Sequence, residues 1–271
     1  MLITDLRAAV AAGLEALCAP GAPLNMDAVG ATWRRHAVGG TDPHVGRYLP
    51  SRLRTHRELI DAFLDVSTRI GVDGLAAVAT AGPPAAGKST QLTELGYDDT
   101  WRRIDPDDFK VLLIEHDLRS GNLAVPDEVA DLALADCEGI MPMELSGIYH
   151  RESTVVADKV QQICMAAREN VVIEGTMSWS GLAPQLVGDL ATYGYQRLEV
   201  VLVEVPLTIA LERSMARWWP DRQVGGMGGR FTPAAAIRSL YRTETETVCA
   251  AHARDLVEMA TAASISAALK V

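Results

Sequence analysis

The chain is poor in cysteine, short of positive charge and without a long uncharged stretch. Its four cysteines (Cys18, Cys137, Cys164 and Cys249) are widely spaced, with no C-x-x-C pair. That excludes a disulfide framework and predicts reduced, mostly buried thiols of a cytosolic protein. Lys and Arg total 25 against 35 Asp and Glu, giving a net charge of −10 and a pI near 5.1. Such a deficit argues against a nucleic-acid-coating surface, although a local arginine cluster can still bind a small anion. No uncharged run approaches the roughly 20 residues of a membrane span, so no membrane association is expected. Asp5, Arg7 and Glu15 interrupt the apolar residues of positions 1–20, where a secretory signal would need a clean apolar stretch. No internal repeat is visible. What is present is a chain that is 48% hydrophobic over 271 residues, enough for one large domain or a domain with an appendage.

The most informative segment is Gly82-Pro83-Pro84-Ala85-Ala86-Gly87-Lys88-Ser89, a complete G-x-x-x-x-G-K-[ST] phosphate loop followed by Thr90. Each fixed position has a task. The glycines let backbone N–H groups approach phosphate oxygens, Lys88 places a point charge among the outer phosphates, and the Ser89 hydroxyl is a Mg²⁺ ligand. The bound anion would face a helix N-terminus, where unpaired donors favour negative charge. The context fits. Residues 75–81 are an apolar run suited to a buried parallel strand, and residues 90–95 begin a plausible helix.

Upstream, Leu2, Leu6, Val10, Leu14 and Leu17 recur near helical spacing. Residues 25–50 are rich in Gly, Pro and Asp and read as irregular. A second amphipathic helix is predicted over 51–70, with Leu59, Ile60, Phe63, Leu64 and Val66 apolar, and 71–74 turn the chain. From residue 75 strands and helices alternate. Strands are expected at 101–104, 171–173, 198–205 and 265–271. Helices are expected at 107–115, 127–134, 152–170, 181–193, 206–218 and 233–262. A glycine-rich loop spans 225–229. The alternation predicts an α/β fold around a parallel sheet flanked by helices. Residues 1–50 read as a helical or irregular N-terminal extension, and 51–271 as the domain that carries the phosphate loop.

Ligands of open α/β sheets bind beyond the carboxyl ends of the strands. The predicted strand at 101–104 leads into Asp105, Asp107 and Asp108, and either Asp105 or Asp107 could accept a proton from an attacking hydroxyl. Asp108 reads as a helix-start residue. The strand at 171–173 ends in Glu174-Gly175-Thr176, where Glu174 could hold Mg²⁺ or a substrate hydroxyl. Arg213 and Arg217, four residues apart, share one helix face. Arg222 and Arg230 flank the glycine-rich loop. Arginines on a mobile lid would stabilise a transferring phosphoryl group. The stretch from Tyr149 to Ser153, which includes His150 and Glu152, opens a long helix. There Ser153 reads equally well as an N-cap.

These ordered motifs resemble the zeta toxin family of kinases. The resemblance is carried by Gly82–Thr90, Ile104-Asp105-Pro106-Asp107-Asp108-Phe109-Lys110, Asn170–Thr176, Val205-Pro206 leading to Arg213 and Arg217, and Gly229-Arg230-Phe231-Thr232-Pro233. It covers roughly residues 51–250. It implies a P-loop kinase core over 51–271, the zeta toxin-like kinase domain, and an ATP- and Mg²⁺-dependent kinase that phosphorylates a sugar hydroxyl of UDP-N-acetylglucosamine, as the toxin of a toxin–antitoxin pair in the cytoplasm. By the resemblance, Gly82, Pro83, Ala85, Ala86, Gly87, Lys88, Ser89 and Thr90 bind the nucleotide. Asp107 is the general base, and Lys88, Arg230 and Arg217, with Arg213 as the alternative, are catalytic. Asp107, Asp158, Glu174, Thr176 and Glu152 contact the substrate, and Ser89 with Glu174 holds the metal. Asp158 departs from the family pattern, which carries Glu there. Residues 1–50 match no pattern. A small antitoxin protein is the implied partner. Two other readings stand beside this one: a phosphotransferase for an antibiotic, a nucleoside or a nucleic-acid 5′ end, and a non-catalytic nucleotide-binding regulator that would need the loop but no base.

Overall fold

The computed structural model describes residues 3–39, 42–44, 47–65, 70–72 and 74–271. Leu2, Val66 and Asp73, used above to read the first two helices and the turn after them, lie outside the described residues. The chain runs α1 (Ile3–Cys18), α2 (Thr32–Arg35), β1 (Ala37–Val38), β2 (Arg47–Tyr48) and α3 (Pro50–Asp65). It continues with β3 (Ala76–Ala81), α4 (Lys88–Glu94), β4 (Arg102–Ile104), α5 (Pro106–Arg119) and α6 (Ser146–Ala166). Then come β5 (Val171–Ile173), α7 (Leu182–Thr192), β6 (Arg197–Leu202) and α8 (Leu207–Val224). Last are α9 (Ala234–Arg238), α10 (Val248–Ala262) and β7 (Ser266–Lys270). The fold is α/β, and the chain forms two compact units.

One unit comprises residues 66–105, 157–213 and 236–271. It holds a five-stranded parallel sheet of order β4-β5-β3-β6-β7. All six residues of β3 are buried, as expected of a central strand covered on both faces. Val78 of β3, Val172 of β5 and Val201 of β6 meet Leu92 of α4 in one apolar cluster. The register pairs Ile104 with Ile173 and Ala81 with Leu202. Asp105, Glu174 and the phosphate loop therefore all leave the same edge of the sheet.

The other unit comprises residues 1–65, 106–156 and 214–235. Its core joins Val10 and Leu14 of α1, Leu24 and Trp33 to Leu113 of α5, Ile148 and Tyr149 of α6, Trp218 of α8 and Phe231. The N-terminal 50 residues thus share one core with segments far along the chain. A two-residue antiparallel pairing of β1 with β2, and the single turn of α2, lie within the stretch read as irregular.

Several boundaries differ from the sequence reading. α6 begins at Ser146 rather than at 152. Gly147 lies in its first turn, where the Leu24 carbonyl oxygen comes within 2.5 Å of where a Cβ would be, an approach that only glycine allows. Ser153 is consequently interior, its hydroxyl donating to the His150 carbonyl at 2.8 Å, and is not an N-cap. The helix expected at 127–134 is a 3-10 turn at Asp127–Val129 followed by turns. There Leu134 N–H bonds to Glu138 O, and the Asp136 carboxylate with the Glu138 and Gly139 carbonyls is committed to Arg222. α8 runs through Pro220 to Val224 because Arg222 anchors its end. The helix expected over 233–262 is broken between α9 and α10 by a bridge from Tyr241 to Thr247, whose hydroxyl caps α10 at Ala250 N. All four cysteines are free, with Cys164 and Cys249 buried, Cys18 half-buried and Cys137 exposed.

Candidate active site

In the sheet-bearing unit the phosphate loop is the turn between β3 and α4. Gly82 has φ 130°, and a Cβ there would lie 2.0 Å from the Val203 carbonyl oxygen. No other residue fits. Ala85 and Gly87 also take positive φ, 60° and 103°. The Gly82 N–H donates to the Thr176 carbonyl at 3.0 Å, and Gly175 is bonded both ways to the Thr80 hydroxyl. Loop and Glu-Gly-Thr segment are therefore one hydrogen-bonded structure.

Lys88 Nζ donates to the carbonyls of Gly82 and Pro83, each at 3.0 Å. The Ser89 hydroxyl donates to Glu174 Oε2 at 3.3 Å, while Glu174 Oε1 pairs with Arg103. Ser89 Oγ and the Glu174 carboxylate are a hard-oxygen pair of the kind Mg²⁺ takes when phosphates supply other ligands, so these residues fit that ion. Among the described residues no larger cluster of His, Cys, Asp and Glu could hold a metal. Arg213 is exposed yet donates to the Ala86 carbonyl at 3.2 Å, which ties it to the loop. The Thr176 hydroxyl donates to Ser178 at 2.9 Å. Asp158 is half-buried. Burial raises the pKa of Asp189, and the nearby Asp158 charge raises it further.

The second group lies in the other unit. Asp107 sits in the first turn of α5, one turn before Lys110. Lys110 Nζ reaches Asp107 Oδ1 at 2.7 Å, and Arg230 pairs with Oδ2. Burial works against the charged carboxylate, but Lys110 and Arg230 overcome it and hold Asp107 well below the usual range. Burial, reinforced by Lys110, pushes His150 down to about 3, so the imidazole beside this ion group is neutral.

Glu152 is placed differently from a surface ligand. It is fully buried, with Arg52 bonded to both its oxygens at 2.6 and 2.9 Å and His56 Nε2 at 2.6 Å. Arg52 also reaches Asp117 at 2.6 Å, and the Tyr149 hydroxyl donates to Asp117 at 2.9 Å. Burial disfavours the Glu152 charge, yet hydrogen bonds from His56 and Arg52 bring its pKa down to about 2.

Of the arginines around the glycine-rich loop, Arg222 is structural. It is buried and bonded to Glu144 and Asp136. Arg217 is exposed on α8. The loop itself is packed. Met143 N–H donates to the Met227 carbonyl, and side chains at Gly228 and Gly229 would run into Met141 and the Trp218 backbone. Sequence reasoning missed Arg103 and gave Lys110 no role. Lys110 was legible from its i+3 spacing to Asp107. Arg103, on a three-residue strand, carried no such signal.

The Zeta toxin family model matches residues 132–264. A crystal structure of AvrRxo1-ORF1 with AvrRxo1-ORF2 and sulphate ions is similar with a TM-score of 0.54 at 16% identity, over 88% of this chain and 72% of that chain. A structure from the PezAT chromosomal toxin-antitoxin system of the human pathogen Streptococcus pneumoniae is similar with a TM-score of 0.52 at 12% identity, over 83% and 80% of the two chains. At these identities the likeness is one of fold. No curated protein matches the sequence. No helix among the described residues is long and apolar enough to cross a membrane.

Proposed function

We propose that the chain, whose residues 132–264 match the Zeta toxin family model, is an ATP-dependent kinase. It would transfer the γ-phosphoryl group to a hydroxyl of a nucleotide sugar, UDP-N-acetylglucosamine by resemblance, as a toxin held in check by an antitoxin protein. The observation that supports catalysis over mere nucleotide binding is the Asp107 ion group. A binder needs the phosphate loop, but it has no use for a carboxylate held ionised between Lys110 and Arg230.

The residue roles follow from chemistry. The backbone of residues 82–87 cradles the phosphates. Lys88, whose ammonium rests on the Gly82 and Pro83 carbonyls, turns to the incoming phosphates. Ser89 and Glu174 would hold Mg²⁺, which when bound neutralises phosphate charge. Asp107 accepts the proton of the acceptor hydroxyl. Its depressed pKa keeps it ionised at neutral pH but makes it a weak base. A loose phosphoryl-transfer transition state tolerates that, because bonding to the nucleophile is slight when the barrier is crossed. Arg230, with Arg217 or Arg213, offsets charge on the transferring group. Thr176, Asp158 and the second oxygen of Glu174 are the proposed acceptor contacts. Glu152 acts from within the Arg52 cluster, fixing the helix that carries His150.

The test is mass spectrometry of a metabolite extract incubated with protein, Mg²⁺ and ATP. A product heavier by about 80 Da, one phosphoryl group, is expected with the wild type and not with Lys88→Ala. Turnover surviving intact in a folded Lys88→Ala protein would sink the reading.

A further inference from the structure

We infer that the indole of Trp179 is a stacking platform for a nucleobase beside the phosphate loop. The inference rests on the kinase reading and adds a contact that reading lacks. Trp179 is 61% exposed, an unusual position for the largest apolar side chain. It lies three residues beyond Thr176, whose carbonyl accepts the Gly82 N–H, and five beyond Glu174, which accepts the Ser89 hydroxyl. The segment that carries it is therefore fastened directly to the loop.

The backbone on both sides holds the ring in place. Before it, Met177 is buried and sits at φ 59°, a conformation disfavoured for a residue with a side chain. His252 Nδ1 lies 2.9 Å from the Met177 carbonyl and secures that turn. Met177 points inward and Trp179 is left outward. After it, Gly181 has an ordinary φ of −74°, so no backbone conformation demands glycine there. Space does: a Cβ at 181 would lie 2.2 Å from Cζ2 of the indole. The ring is seated against the bare Gly181 backbone, with most of its surface open to solvent. An aromatic plane held rigid beside a phosphate site suits the flat base of a nucleotide. Every base has a π-face, so such a platform binds through stacking and is indifferent to base identity. Two nucleotides enter the proposed reaction, the donor and the acceptor, and either could supply the base.

Tryptophan emission is titrated with ADP, UDP and inorganic tripolyphosphate, each with Mg²⁺, and affinities are measured by calorimetry. Tripolyphosphate offers the phosphates without a base. ADP or UDP is expected to change the emission while tripolyphosphate does not, and the response should vanish in Trp179→Leu. That variant should bind the responding nucleotide about 30-fold more weakly, the midrange of base–aromatic stacking, and tripolyphosphate as before. A response to ADP assigns the donor's adenine, and a response to UDP assigns the acceptor's base. Gly181→Ala, which keeps the indole but displaces it, should show the same selective loss. Wild-type affinity of both variants for both nucleotides overturns the platform and leaves the kinase reading standing. Failure of all three compounds to bind the folded wild type overturns both.

Discussion

Arg230 pairs with Oδ2 of Asp107, leaving Oδ1 to Lys110. The proposed base is thus poised by the same arginine proposed to meet the phosphoryl group. Removing Arg230 takes away one of the charges that depress Asp107, so its pKa rises. The ionised fraction is then lost at a higher pH. In Arg230→Ala the acid limb of a kcat/KM–pH profile should move upward, on top of a uniform loss of about 100-fold or more from the missing charge. Asp107→Asn should keep nucleotide affinity and lose transfer at every pH. An acid limb of Arg230→Ala that superimposes on the wild type would show that this pair does not set the base.

The Ser89–Glu174 contact predicts a metal phenotype. Glu174→Gln removes the charge from that donor pair and also breaks the ion pair to Arg103. The Mg²⁺ concentration for half-maximal activity should rise about tenfold or more. Ser89→Ala should move it in the same direction. An unchanged Mg²⁺ midpoint in both variants would remove these residues from the metal assignment.

Glu152 should matter for stability. Replacing it with Gln takes the charge opposite Arg52 and His56 out of a fully buried cluster, at a cost of about 3–5 kcal/mol. The sign with pH follows from its depressed pKa. Its contribution is complete above the ordinary value of 4.5 and is lost as pH falls toward about 2. Urea unfolding of the wild type should weaken over that window, and Glu152→Gln should be flatter across it. Equal midpoints for the two proteins at pH 7 would mean that the cluster is not stabilising.

Gly228 tests whether the glycine-rich loop is a lid or a packed turn. It has φ 69°, and a Cβ would lie 2.7 Å from Met141. Gly226 has φ 68° and open space around it. Gly226→Ala should cost about 1–2 kcal/mol, the backbone penalty alone. Gly228→Ala should cost a further 1–3 kcal/mol, roughly the price of overpacking. Thermal unfolding separates them. Equal stability of the two variants, with kcat lowered in both, would favour a moving lid.

The parallel sheet and the phosphate loop were legible because their signals are local: an apolar run at 75–81 and fixed residues from Gly82 to Ser89. Asp107 and Lys110 were legible for the same reason, one helical turn apart. The burial of Glu152 was not, since its partner Arg52 lies 100 residues away and nothing near either residue announces the pairing. Gly228 belonged to a stretch read as a flexible lid, and Gly147 gave no signal at all. Both are places where another segment comes too close for a side chain. Arg222 looked like one more lid arginine until Glu144 and Asp136 closed around it.

Trp218 and Phe231 complete a core that Val10 and Leu14 begin. During synthesis, at about 5–20 residues per second, that core stays unfinished until the chain beyond Phe231 has left the ribosome. Arg230 arrives in the same late segment. Asp107 is therefore made long before the arginine that pairs with it, and its ion group is complete only once that late segment has been added. A chain that stopped before Arg230 would carry the whole phosphate loop and Asp107, but not that ion pair.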